Sequence, residues 1–262
     1  MRVPGLKVLH VQDIDFRSTC PTLVACLTQV RDWSQAHPDH VPILILIEAK
    51  DNVPSNPGGI EFVQPVAIDG AQLRALDAEI RSVFASAHLI TPDDVRGPHA
   101  TLNEAIRSQG WPRLGEARGR VLFALDNTGV HRERYLEGAP SLEGRVMFVS
   151  SPPGEPSSAF LKMNEAVGDD TERIREMVAA GYLVRTRADV PTDEARSGDT
   201  TRRDAALRSG AQYVSTDYPE PSPFGSGYVA RLPGAEGLAA RCNPVATTPA
   251  CRDEWLEPSA PR

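Results

Sequence analysis

Short unbroken apolar runs alternate along the chain with longer stretches of helical repeat. The most continuous run is Val41-Pro-Ile-Leu-Ile-Leu-Ile47, which leads straight into Glu48, Lys50 and Asp51. A β-branched run of that kind predicts a strand buried on both faces, as in a parallel sheet covered by helices. Further strands are predicted over Lys7–Val11, Arg120–Asp126, Arg145–Val149, Tyr182–Arg187 and Ala211–Asp217. Leu23, Val24, Leu27, Val30 and Trp33 recur at helical spacing behind Ser18-Thr-Cys-Pro21, a hydroxyl cap before a first-turn proline. Leu73, Leu76, Ile80, Val83 and Phe84 mark a second helix over Ala71–Phe84. Shorter helices are predicted over Leu102–Ile106, over Thr171–Ala180 before Gly181, and over Thr200–Ser209 before Gly210. Asn52–Gln64 and the chain from Tyr218 onward read as loop.

Strand, helix, strand is the parallel crossover unit, so the class is α/β. Such strands are dry along their length and show polar chemistry at their C-terminal ends, where α/β barrels build their sites. Five of the six predicted strands end this way: at His10, at Glu48 with Lys50, at Asp126, at Arg187 and at Asp217. Glu48 and Lys50, two apart, fall on one side of their strand.

Composition narrows the function classes. With 28 Lys and Arg against 35 Asp and Glu, the net charge is −7, which argues against a nucleic-acid partner and provides no basic stripe for a membrane surface. No apolar window is long enough to span a bilayer, and Met1-Arg-Val-Pro-Gly-Leu-Lys7 holds no signal-peptide core. Four cysteines form two local pairs, Cys20 with Cys26 and Cys242 with Cys251, with no histidine at zinc-site spacing. Two close pairs in a proline-rich chain point to disulfides and an exported protein, although Cys26 also fits a helix core position.

Four segments carry a family likeness: Val8-Leu-His-Val-Gln-Asp-Ile-Asp-Phe-Arg-Ser-Thr-Cys20, Pro42-Ile-Leu-Ile-Leu-Ile-Glu-Ala-Lys-Asp51, Leu122-Phe-Ala-Leu-Asp-Asn127 and Ala211-Gln-Tyr-Val-Ser-Thr-Asp-Tyr-Pro219. Through them the chain resembles the calcium-dependent phosphoinositide-specific phospholipase C family of actinobacteria, from about Leu6 to Cys251. The resemblance implies a TIM-type (β/α) barrel of the phosphodiesterase and phospholipase C kind, acting on phosphatidylinositol at a membrane surface with Ca2+ as cofactor. It implies attack of the inositol 2-hydroxyl on phosphorus, giving cyclic inositol phosphate and diacylglycerol. His10 matches the family's second histidine, the general acid, and Glu48 matches an acid that ligates the metal. Lys50 joins them as a catalytic candidate, and Asp126, Arg185, Arg187 and Tyr228 are candidate substrate contacts, with Arg187 the better placed arginine. Asp217 reads as a structural turn residue. The remaining histidines, His37, His40, His88, His99 and His131, receive no role.

The family's first histidine with its asparagine, and a Glu-x-Asp pair of metal ligands, have no counterpart in these 262 residues. The expectation is one barrel domain over 1–262, N-terminally truncated to about six of eight strands, with a loop-rich extension over 219–262. The missing part would hold the export signal, and the chain as given could be inactive. Two open edges would then favour aggregation or dimerisation. A glycerophosphodiester phosphodiesterase on the same barrel, which shares the Thr-Asp-Tyr-Pro close, and a non-catalytic headgroup-binding remnant are the competing readings.

Overall fold

The Thr22 hydroxyl accepts the Ala25 N–H and starts the first helix, α1 (Leu23–Ala36), two residues later than Ser18-Thr-Cys-Pro21 predicts. The computed structural model describes residues 3–55, 58–59, 61–234, 238–246 and 250–256, so parts of the predicted loops at Asn52–Gln64 and beyond Tyr218 lie outside them. The order continues β1 (Ile43–Ile47), α2 (Gly70–Val83), α3 (Pro92–Arg96), α4 (Leu102–Ser108), α5 (Leu114–Ala117), β2 (Val121–Leu125), α6 (Val130–Leu136) and β3 (Met147–Val149). It ends β4 (Phe160–Lys162), α7 (Asp169–Ala179), β5 (Leu183–Arg187), α8 (Asp193–Ser197), α9 (Thr201–Arg208) and β6 (Tyr213–Ser215).

Every strand pairing is parallel. The strands form two three-stranded sheets, β1-β2-β3 and β4-β5-β6. A single parallel bridge, Ser150 to Phe160, joins them. Six staves therefore run in chain order with helices outside, an incomplete (β/α) barrel. Buried Phe123, Phe148, Phe160, Leu73, Ile80 and Leu102 belong to one core. No helix separates β3 from β4. There α4 packs close by, its Asn103 Nδ2 donating to the Ser158 carbonyl and the Tyr182 hydroxyl. Gly181, at φ +95°, turns the chain from α7 into β5 so near α4 that a Cβ would lie 2.7 Å from the Ile106 carbonyl oxygen.

Two expectations are corrected. Lys7–Val11 is no strand: it makes only isolated antiparallel bridges, Lys7 to Thr22 and Val11 to Asp15, because the chain folds back at Asp13, which has φ +60°. β1 is not buried on both faces. It pairs only with β2 among the described residues and is half-buried throughout, whereas β2, flanked on both sides, is wholly buried. β4 escapes prediction because its apolar run, Ala159-Phe-Leu161, is too short to stand out from the surrounding Pro and Ser. Both cysteine pairs form disulfides, Cys20–Cys26 and Cys242–Cys251.

Between α2, α6 and β3 lies a buried polar knot. Tyr135 donates its hydroxyl to Asp77 Oδ1 at 2.6 Å and accepts the Met147 N–H at 2.9 Å. Burial pushes the Asp77 carboxyl up to about 6, against the Tyr135 hydrogen bond that lowers it. The native state thus holds this proton more tightly than the unfolded chain, and stability falls as pH rises from about 4 to 6. At neutral pH the charged form costs up to roughly 3 kcal/mol. Asp77→Asn keeps an acceptor for Tyr135, so urea melts are expected to show it about 1–2 kcal/mol more stable than the parent at pH 7 and equal to it below pH 4.

Candidate active site

Strand register fixes which side chains share the barrel's inner face. Parallel partners point to one side, and the pairs Leu46 with Ala124, Ala124 with Phe148, Lys162 with Arg185 and Arg185 with Tyr213 run round the wall. Across the Ser150–Phe160 bridge the same parity continues, so Glu48, Asp126, Ser150, Lys162 and Arg185 all face inward at the C-terminal ends. Tyr213, on this face, reaches across the interior to the Pro42 carbonyl at 2.9 Å. Burial raises its hydroxyl's pKa far above the ordinary range, so it stays a donor there.

Two polar groups stand on that face. In the first, Lys50 Nζ lies 3.0 Å from Glu48 Oε2 and donates to the His10 carbonyl at 3.0 Å. His10 Nδ1 sits 2.9 Å from Asp15 Oδ2, both side chains well exposed. In the second, Lys162 Nζ donates to Asp126 Oδ2 at 2.9 Å and to the Asp126 carbonyl at 2.6 Å. Arg185 donates to Asn164 Oδ1 at 2.5 Å and to Ser215 Oγ at 2.6 Å. Burial holds the Arg185 guanidinium below its usual pKa, while Asp126 opposes the shift. The groups are neighbours, since the Asp126 N–H donates to the Ile47 carbonyl at 2.7 Å, one residue before Glu48.

Beside the second group opens a cavity of about 410 Å³ whose polar lining mixes Arg132, Lys162, Asn164 and Arg173 with the acids Glu165 and Asp170, with Leu161 and Met163 as apolar wall. Lys162 and Asn164 thus present donors to a space of ligand size.

Glu48, Lys50, Asp126 and Arg185 therefore share one mouth, which His10 reaches through its backbone carbonyl while its exposed imidazole turns to Asp15. Arg187 does not join them, reversing its expected rank over Arg185. It donates to Glu165 Oε1 at 2.9 Å, and Glu165, its carboxyl held below the usual range by Arg202 and Arg187, also bonds Arg202. Tyr228 is also elsewhere: its side chain is buried and its hydroxyl donates to the Ala188 carbonyl or Asp189 Oδ2, 3.0 and 3.1 Å away. Asp217 is in the exit turn, its N–H bonded to Asp189 Oδ1. Sequence reasoning missed Asp15, Lys162, Asn164 and Ser215. Asp15 lay in plain view five residues after His10, whereas Lys162 could be found only with β4.

A calcium ion takes six to eight oxygens. No three His, Cys, Asp or Glu side chains cluster as a metal site among the described residues. The two inward carboxylates, Glu48 and Asp126, each already carry a lysine ammonium. These residues do not fit a calcium cage by themselves.

Residues 1–244 match the family described as phosphoinositide phospholipase C, Ca2+-dependent. No curated protein matches the chain. Among solved structures, a Ca2+-dependent phosphatidylinositol-specific phospholipase C from Streptomyces antibioticus aligns with TM-score 0.54 and 24% identity, over 78% of this chain and 73% of that one. A calcium-dependent phosphoinositol-specific phospholipase C from a Pseudomonas species, in a myoinositol complex, aligns with TM-score 0.48 and 21% identity, over 64% and 60%. The first likeness agrees with the barrel read from strand order. Among the described residues no helix is long and apolar enough to cross a membrane.

Removing one member of the half-buried Lys162–Asp126 pair strands the other. Lys162→Met is expected to lose about 1–3 kcal/mol in urea melts, and Asp126→Asn in that background to recover part of the loss.

Proposed function

This chain belongs to the Ca2+-dependent phosphoinositide phospholipase C family, and on that footing we propose that its mouth binds phosphatidylinositol and cleaves the bond from phosphorus to the glycerol oxygen. The observation that carries the reading is Lys50, whose ammonium is bonded both to the Glu48 carboxylate and to the backbone of His10. One cation thereby ties the Glu48 carboxylate to the segment that carries His10.

Glu48 receives the proton of the inositol 2-hydroxyl as that oxygen attacks phosphorus. The bond to the glycerol oxygen breaks, the phosphate closes on the ring as a cyclic ester, and diacylglycerol leaves. With Nδ1 turned to Asp15, His10 has Nε2 free to deliver a proton to the leaving oxygen. Lys50, Lys162 and Arg185 supply the positive charge that answers the non-bridging oxygens. Family members depend on calcium; no step is assigned to the ion here, because the described carboxylates do not fit it. The two disulfides support an exported protein, since such bonds are rare in reducing compartments.

A second reading has one observation behind it. Both inward carboxylates are neutralised by lysines, which suits a mouth that holds a headgroup without turning it over.

With phosphatidylinositol vesicles and Ca2+, the protein is expected to release cyclic inositol phosphate, followed by phosphorus NMR, at a rate that falls by about 10²-fold or more in His10→Ala. A linear phosphomonoester would instead indicate glycerophosphodiester chemistry. Inositol phosphate binding without turnover, unaffected by His10→Ala, would favour the second reading, and neither binding nor turnover would refute both.

A further inference from the structure

The two sheets meet on one side at the Ser150–Phe160 bridge, and on the other side no ladder pairs β1 with β6 among the described residues. What ties those far ends lies where the strands begin. Tyr213 of β6 donates to the Pro42 carbonyl, just before β1. A second tie is the segment around the Cys242–Cys251 disulfide, which the mouth does not use.

This segment grips both sheets. On the β6 side, Arg241 donates to the Leu207 carbonyl in α9, and Asn243 Nδ2 donates to the Gly210 carbonyl at 2.6 Å. Val245 packs so closely there that a Cβ on Gly210 would lie 2.5 Å from its Cγ2. On the β1 side, the Trp255 and Leu256 carbonyls accept from Arg118 at 2.7 and 2.6 Å. Arg118, directly after α5, also donates to the Asp39 carbonyl, in the turn before β1, at 2.7 Å. The disulfide joins the two grips, beside one hydrogen bond from the Cys242 N–H to Asp253 Oδ1 at 2.6 Å.

Two packed bodies joined along a thin seam can swing about it while breaking few bonds. Covalent closure on the far side removes that freedom; without it, the one hydrogen bond and the peptide chain remain, and a chain loop restrains its ends loosely. The Cys20–Cys26 bond has no such role, since it closes a short loop at the start of α1.

We propose that Cys242–Cys251 is a redox-controlled clasp, which fixes the separation of the two sheets, and with it that of Glu48 and Lys50 from Arg185, only in oxidising surroundings. The clasp closes by thiol–disulfide exchange: the two thiols pass two electrons and two protons to an oxidant of the disulfide class, which leaves as two thiols. In a reducing compartment both cysteines stay thiols and the wall is free to swing. Neither cysteine is fully buried, so a small dithiol has access.

The test is the distance between nitroxides at Gln35 in α1 and Arg208 in α9, both exposed, measured by pulsed electron spin resonance on the full chain. The labels enter through a ketone-bearing amino acid, so no new thiol is added. The oxidised parent is expected to give one narrow distribution. Cys242→Ser/Cys251→Ser should broaden it and move it to longer distance, with circular dichroism unchanged, whereas Cys20→Ser/Cys26→Ser should leave it as in the parent. Arg118→Met, which releases one grip with the disulfide intact, should also broaden it, and it carries the test if the serine pair does not fold. Treating the parent with a dithiol should reproduce the broadening, and reoxidation should reverse it. An unchanged distribution in the Cys242/Cys251 and Arg118 variants would overturn the proposal, because Tyr213 would then suffice to hold the sheets. Equal broadening by the Cys20/Cys26 variant, or broadening that reoxidation does not reverse, would overturn it too. No readout involves turnover, so the clasp stands or falls apart from the phospholipase reading.

Discussion

Two three-stranded sheets become one curved wall through a junction a single backbone bridge wide, Ser150 to Phe160. Side chains reinforce what the backbone leaves thin. The Lys162 N–H donates to Ser150 Oγ, and the Lys162 ammonium crosses from β4 to Asp126 on β2. Without that junction, Glu48 and Asp126 on one sheet would have no defined relation to Lys162 and Arg185 on the other. The mouth is therefore a property of the junction before it is a property of any residue.

Charge at the mouth is alternated rather than concentrated. Each inward carboxylate is held by a lysine, and Arg185 is held by neutral Asn164 and Ser215. In the half-buried Lys162–Asp126 pair, pairing and hydrogen bonds avoid the cost of desolvating either charge alone, whereas Glu48 and Lys50 are exposed. An incoming phosphodiester would compete with the carboxylates for the ammonium groups, so the same pairs that hold the wall together also set what an anion must displace. Farther out, Arg187, Glu165, Arg202 and Glu194 make a separate ion network that ties the β4 and β5 exits to α8 and α9. It shares no residue with the Arg185 group.

Much of this was legible in local pattern. The run through Ile47 and the run through Leu125 mark β1 and β2, and the acid that ends each lands on the inner face because parallel strands in register repeat every second residue. Helix stops were legible for the same local reason, as at Gly181, which follows α7 at positive φ. The family likeness was carried by these strand exits, where chemistry and fold coincide. What pattern missed was short or remote: β4, the His10 turn mistaken for a strand, and the buried destination of Tyr228.

The sequence by itself determined that this is a parallel α/β chain with charged strand exits, because apolar runs, caps and turn residues act over a few positions. Only the tertiary structure decided that β1 is a half-exposed edge, that Lys162 answers Asp126, and that Arg187 is taken by Glu165 while Arg185 bonds Asn164 and Ser215. Those outcomes depend on which segments meet across tens of residues, and on which neighbour takes each hydrogen bond first.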